Sequence, residues 1–227
     1  MKQAFRIVII LAVVFGAWSL SVRLRFSPFS PSTNPMRSMP MPSFRPLSPY
    51  PEITTIPTDA PRPTVNPTLE CPPGMAKIDN FCIDQYEFPN QKGVLPRNYV
   101  NWYTAQAECT KLGKRLCTEF EWVRACDGDP KGGALRRYSY GDVFIENNCN
   151  VQNTVPVVSG NYPNCRSAWG VYDMVGNVYE WVVPAEGSRL YTIGGAFGEG
   201  RGATCYKAGS GYQPQYYQIH IGFRCCK

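Results

Sequence analysis

Gly170-Val171-Tyr172-Asp173-Met174-Val175-Gly176-Asn177-Val178-Tyr179-Glu180-Trp181 is the stretch on which the reading of this 227-residue chain turns. Glycine, asparagine and aromatic residues interrupt it every few positions. The same punctuation runs through residues 71–227, which predicts short strands joined by long ordered loops. Further blocks stand to either side: Gly113-Lys114-Arg115-Leu116, Glu119-Phe120-Glu121-Trp122, Gly194-Gly195 and Gly222-Phe223-Arg224-Cys225. A segment of this length supports one core and is short for two ordinary domains.

Two helices are expected between these blocks. Asn101 is placed to cap a helix over Trp102 to Leu112, with Ala105, Cys109 and Leu112 on its inner face and Gly113 as the stop. Thr118 and Glu121 form a capping box for a second helix, whose inner face is Trp122, Ala125 and Cys126. Residues 155–158, 190–193 and 222–226 read as strands. The fold class is therefore α+β.

Ten cysteines, at 71, 82, 109, 117, 126, 149, 165, 205, 225 and 226, all fall after residue 70. An even set confined to the compact part implies disulfides and an oxidising compartment. No Cys-x-x-Cys pair occurs and His220 is the sole histidine, so zinc-finger spacing is absent.

The first 26 residues agree with export. Lys2 and Arg6 precede an uninterrupted apolar run from Ile7 to Leu20, in the pattern of a signal peptide. Extended to Val22, the run spans about 24 Å as a helix, short of the roughly 30 Å hydrocarbon core. Ser19-Leu20-Ser21 offers a small-x-small cleavage site, whereas Arg23 and Arg25 suit a retained membrane anchor, and both readings stand. Residues 27–70 hold twelve of the 21 prolines and read as an extended linker that holds the domain of residues 71–227 away from a membrane. That domain carries sixteen Lys/Arg against fourteen Asp/Glu, so the overall charge of +6 sits mostly in the tail. Nucleic-acid binding, which needs a basic face on the folded part, is not expected.

In order and spacing, the blocks quoted above resemble the formylglycine-generating enzyme (sulfatase-modifying factor) family, from about Pro73 to the C-terminus. The resemblance implies a disulfide-rich variant of the C-type lectin fold with two main helices. It also implies two disulfides, Cys109–Cys225 and Cys126–Cys205. The other six cysteines have no counterpart in that enzyme. Local pairing gives Cys71–Cys82 and Cys149–Cys165, and Cys117–Cys226 remains, with an exchange of the partners of Cys225 and Cys226 as the alternative. Neighbouring residues on a strand face opposite ways, so those two cysteines take different partners.

The family's chemistry needs copper on two thiolates that closely follow Gly-Gly-Ser, and soft thiolates suit Cu(I). Here Ala196 replaces the serine, and Glu199 and Thr204 fall at the ligand positions. Cys205 approaches the second position only through a one-residue shift, and one thiolate does not make the two-coordinate site, so copper is not expected. Iron held by a facial set of histidines fails on His220 alone. The family's calcium site does map onto this chain, through the side chains of Asp173 and Glu180 and the backbone carbonyls of Gly176 and Val178, all hard oxygen donors. Alternatively, the two acids only tie down a turn by hydrogen bonds.

Phe197, Tyr206, Tyr212, Tyr216 and Tyr217, with Glu199 and Arg201, cluster where the resemblance puts the active-site groove. Tyrosine gives contact area at low entropy cost, which favours recognition. The expectation is an extracytoplasmic domain, periplasmic or at the cell surface. It lacks the copper pair and binds a peptide, glycan or envelope protein. The competing readings are a formylglycine-generating oxidase acting on a sulfatase cysteine and a variable lectin-like recognition protein.

Overall fold

The computed structural model describes residues 68–210 and 212–227; the apolar N-terminal segment and the linker up to residue 67 lie outside them. Among the described residues no helix is long and apolar enough to cross a membrane. The chain forms β1 (Met75–Ile78), β2 (Phe81–Asp84), α1 (Trp102–Lys111), β3 (Arg115–Leu116), α2 (Glu119–Asp127), β4 (Tyr179–Trp181), β5 (Thr192–Ile193), β6 (Ile221–Phe223) and β7 (Cys225–Cys226).

Both helices begin where side chains satisfy otherwise unpaired backbone donors. The Asn101 side chain accepts from the Thr104 N–H at 2.9 Å, and Thr118 and Glu121 make a complete capping box. Ala105 and Cys109 of α1, and Trp122, Ala125 and Cys126 of α2, are buried as their spacing requires. Leu112 departs from the expectation. It is the C-cap rather than a helical residue, and it is 56% exposed, because the helix ends before the turn that would have carried it inward.

The strands form two small sheets. One runs β1-β2-β7-β3 with every pair antiparallel, and the other runs β5-β4-β6, with β4 antiparallel to β5 and parallel to β6. The expected strand over residues 222–226 is split. Arg224 stands between β6 and β7, so the chain leaves one sheet and enters the other at that residue. Residues 155–158 form no strand. Pro156 has no N–H to give a ladder, and side-chain amides take the neighbouring backbone groups: Asn177 Oδ1 accepts from the Val157 N–H at 2.9 Å, and Asn150 Nδ2 donates to the Val155 carbonyl at 3.1 Å.

Five disulfides join Cys71 to Cys82, Cys109 to Cys225, Cys117 to Cys226, Cys126 to Cys205 and Cys149 to Cys165. Cys82 lies inside β2. Cys225 and Cys226 take different partners because successive side chains of β7 face opposite ways. The bonds from β7 to Cys109 and Cys117 close loops of 116 and 109 residues. On the chain-entropy account, each restricts the unfolded state by about 4 to 5 kcal/mol. They fasten α1 and the approach to α2 onto the C-terminal strand.

Candidate functional site

The motif residues meet in the core around Arg224, which is fully buried. Its guanidinium donates from Nη2 to Glu180 Oε1 at 2.6 Å and from Nε to Glu180 Oε2 at 2.7 Å. It also donates to the carbonyls of Asp84 (3.2 Å) and Tyr172 (2.9 Å). Trp122 Nε1 adds a bond to Glu180 Oε2 at 2.8 Å. Lys114 pairs with the buried Asp84 at 2.6 Å, and Arg115 grips Glu121 through two bonds of 2.7 and 2.6 Å. Lys114, Arg115, Glu121, Glu180 and Arg224 of the sequence blocks thus each meet an opposite charge.

Two further acids border this core. Asp173, at φ +55°, accepts the Gly160 N–H at 2.6 Å. Burial pushes its pKa up to about 6, and the charge of Glu180 adds to the effect. Burial also pushes the Glu87 carboxyl well up, assisted by Asp173 and Glu180. Glu87 Oε2 accepts from Ser159 Oγ and Asn177 Nδ2, whereas Oε1 has no partner among the described residues.

These contacts bear on the calcium reading of Asp173, Gly176, Val178 and Glu180. Both Glu180 oxygens are committed to Arg224 and Trp122, so calcium at Glu180 would sit against a buried guanidinium. The residues as arranged do not fit the cation, because the positive charge of Arg224 already serves Glu180. Of the two acids in the set, Asp173 makes no ion pair among the described residues, although the charge of Arg224 pulls its pKa down against the effect of burial.

A second region lies beyond β5. Gly194 and Gly195 have φ of +101° and +77°, which favour glycine. A Cβ at Gly195 would stand 2.6 Å from Ala203 Cα and 3.1 Å from Glu199 Oε2. The two glycines therefore let residues 196–203 fold back tightly, burying Ala196. The segment edges a cavity of about 300 Å³ lined by Tyr179, Phe197, Glu199, Lys207, Tyr212 and His220, among others. The Tyr179 hydroxyl donates to Glu199 Oε1 at 2.6 Å, and the buried Glu199 Oε2 has no partner among the described residues. Lys207 makes no ion pair among the described residues. Burial lowers the His220 pKa while Glu199 pulls it the other way. Tyr212 stacks on Tyr216 at 4.4 Å and meets Trp181 edge-on at 5.8 Å.

Of the residues expected in a groove, the cavity gathers Phe197, Glu199 and Tyr212, with Tyr216 behind Tyr212. Tyr217 lies with Tyr216 on a separate shallow recess. Tyr206 and Arg201 do not line the cavity. The Tyr206 hydroxyl donates to Asp127 at 2.6 Å, and Arg201 lies over the Phe144 ring at 5.5 Å. Sequence reasoning passed over Lys207 and Tyr179 and set His220 aside. The short interval from β4 to the groove was the available signal for Tyr179; nothing marked Lys207.

The copper set meets the same donor test. Cys205 is bonded to Cys126, every cysteine is in a disulfide, and the positions of the family's ligands hold Glu199 and Thr204. The residues present do not fit a two-thiolate copper centre.

A two-sheet α+β domain with a disulfide-stapled C-terminal strand and a groove after Gly194-Gly195 defines the class. The sulfatase-modifying factor enzyme 1-like domain family matches residues 82–227, and the chain belongs to it. Hercynine oxygenase of Mycobacterium tuberculosis is 38% identical over 91 residues, covering 38% of this chain and 21% of that protein. The inactive C-alpha-formylglycine-generating enzyme 2 of Bos taurus is 31% identical over 156 residues, 60% of this chain and 51% of that protein. The chain thus spans about a fifth of the one relative and half of the other. Among solved structures, Treponema denticola variable protein 1 superposes with a TM-score of 0.52 at 17% identity, covering 67% of this chain and 90% of that chain. CarF gives 0.51 at 18% identity, covering 65% and 85%. At those identities the likeness concerns the fold.

Proposed function

We propose that this domain is an exported recognition module that binds a peptide, glycan or envelope protein through the groove after Gly195 and does not carry out the copper-dependent oxidation of cysteine. The observation that carries this reading is the complete pairing of the cysteines, Cys205 included, together with a cavity whose Glu199 and Lys207 make no ion pair among the described residues. Copper held by two thiolates requires two free sulfurs, and nucleophilic exchange with a substrate cysteine requires one. Five disulfides also favour an oxidising compartment, in keeping with the export segment read from residues 1–26. The relative from Bos taurus, whose name calls it inactive, is compatible with loss of the chemistry on this fold.

The test pairs a turnover assay with a binding screen. The protein is incubated with oxygen, copper(I) and a Cys-x-Pro-x-Arg peptide, and is separately screened on peptide and glycan arrays beside Phe197→Ala and Tyr212→Ala variants. No aldehyde product, with array binding that both variants weaken, is expected. Conversion of the peptide cysteine to formylglycine contradicts the reading.

A further inference from the structure

The cavity beside Gly195 holds opposite charges that do not neutralise each other. Glu199 and Lys207 both line it, yet they are further apart than the 4.0 Å of an ion pair. Glu199 Oε1 accepts from one neutral donor, the Tyr179 hydroxyl; Oε2 has no partner among the described residues but is closed off from solvent beside Gly195, so Oε1 is the oxygen left for a ligand. Unpaired charges in a partly enclosed place are costly unless something completes them. Elsewhere in the domain that completion is internal: Arg224 with Glu180, Lys114 with Asp84 and Arg115 with Glu121. The remaining walls combine the rings of Phe197, His220 and Tyr212, the last braced by Tyr216 and Trp181, with the small residues Ala196, Ala208, Gly209 and Ser210.

We infer that this cavity binds a small zwitterion of the free α-amino-acid class, its ammonium on Glu199, its carboxylate on Lys207 and an apolar side chain against Phe197 and Tyr212. A single carboxylate facing a lone cationic ligand would leave Lys207 unmatched, and an anionic ligand would leave Glu199 unmatched. A ligand carrying both charges satisfies the two at once. About 300 Å³ lies at the lower end of small-molecule pockets and suits one residue-sized molecule. The inference rests on the reading of this groove as a binding site and names the chemistry at its centre.

The test is titration calorimetry of the full chain with L-phenylalanine, L-leucine and L-methionine, each compared with its Nα-acetyl and its carboxamide derivative. At least one free amino acid is expected to bind about tenfold or more tightly than either of its capped forms, since each cap removes one charge-assisted contact. Glu199→Gln should bring the free form down to the level of the acetyl form while keeping the preference over the amide. Lys207→Met should do the reverse. Equal affinity for free and capped forms, or no binding of any probe at roughly 10 mM, overturns the inference. Should array binding that Tyr212→Ala weakens persist in that event, the groove still binds and only the zwitterion assignment falls.

Discussion

The surroundings of Arg224 and the cavity after Gly195 are built from similar side chains used in opposite ways. Around Arg224, one guanidinium holds both oxygens of Glu180 and two backbone carbonyls, with Trp122 closing the set. Around Glu199, among the described residues, a carboxylate keeps one oxygen unbonded and Lys207 makes no ion pair. The first arrangement joins the two sheets where the chain crosses between β6 and β7. The second adds nothing evident to the fold. Buried charge with every bond made is scaffold, and charge left incomplete beside a cavity marks where a ligand belongs.

The same substitution at the two glutamates should separate these roles most widely. Glu180→Gln leaves a fully buried guanidinium without its counter-charge, and breaking a buried pair in this way costs about 3 to 5 kcal/mol. Urea unfolding should register most of that as a lower midpoint. Replacing Cys117 and Cys226 together by alanine should cost a little less, about 2 to 5 kcal/mol by the usual range for a native bridge, and should show in the same measurement.

Asp173 extends the comparison to pH. Its folded pKa of about 6 lies above the ordinary 3.8, chiefly because of burial, so the native state holds a proton that the unfolded chain releases. Its contribution is therefore present below about pH 4 and is lost as pH rises towards 6. Asp173→Asn keeps an acceptor for the Gly160 N–H and tolerates the left-handed backbone. It should raise stability at pH 7 by on the order of 1 to 3 kcal/mol and flatten the fall between pH 4 and 6. Melting curves across that window check both. The smallest effect belongs to Glu199→Gln, which should shift stability by no more than about 0.5 kcal/mol while changing what the cavity binds.

Much of the scaffold was legible because its residues act on one another. The quoted blocks are the two ends of single contacts: Trp122 and Arg224 meet Glu180, and Arg115 meets Glu121, so their order and spacing are set by the fold itself. Both helix starts followed from Asn101 and from Thr118 with Glu121, where capping chemistry is local. The strand expected over residues 155–158 failed because its valines looked like a ladder, whereas the side-chain amides of Asn150 and Asn177 hold its backbone. The calcium reading carried over the type of donor at Glu180 but not the arginine 44 residues further on that occupies it. The cavity was legible in part. Phe197, Glu199 and Tyr212 stood out by type, but Lys207 sits in an irregular loop with no period, and nothing local tells that its charge is unmatched.

Counting thiols tests the central claim most directly. Unreduced protein, denatured and titrated with a thiol reagent, should show essentially no free cysteine if all ten sulfurs are in disulfides and none serves copper or substrate exchange. Two reactive thiols, one of them mapped to Cys205, would contradict the account and restore the oxidase reading of this domain.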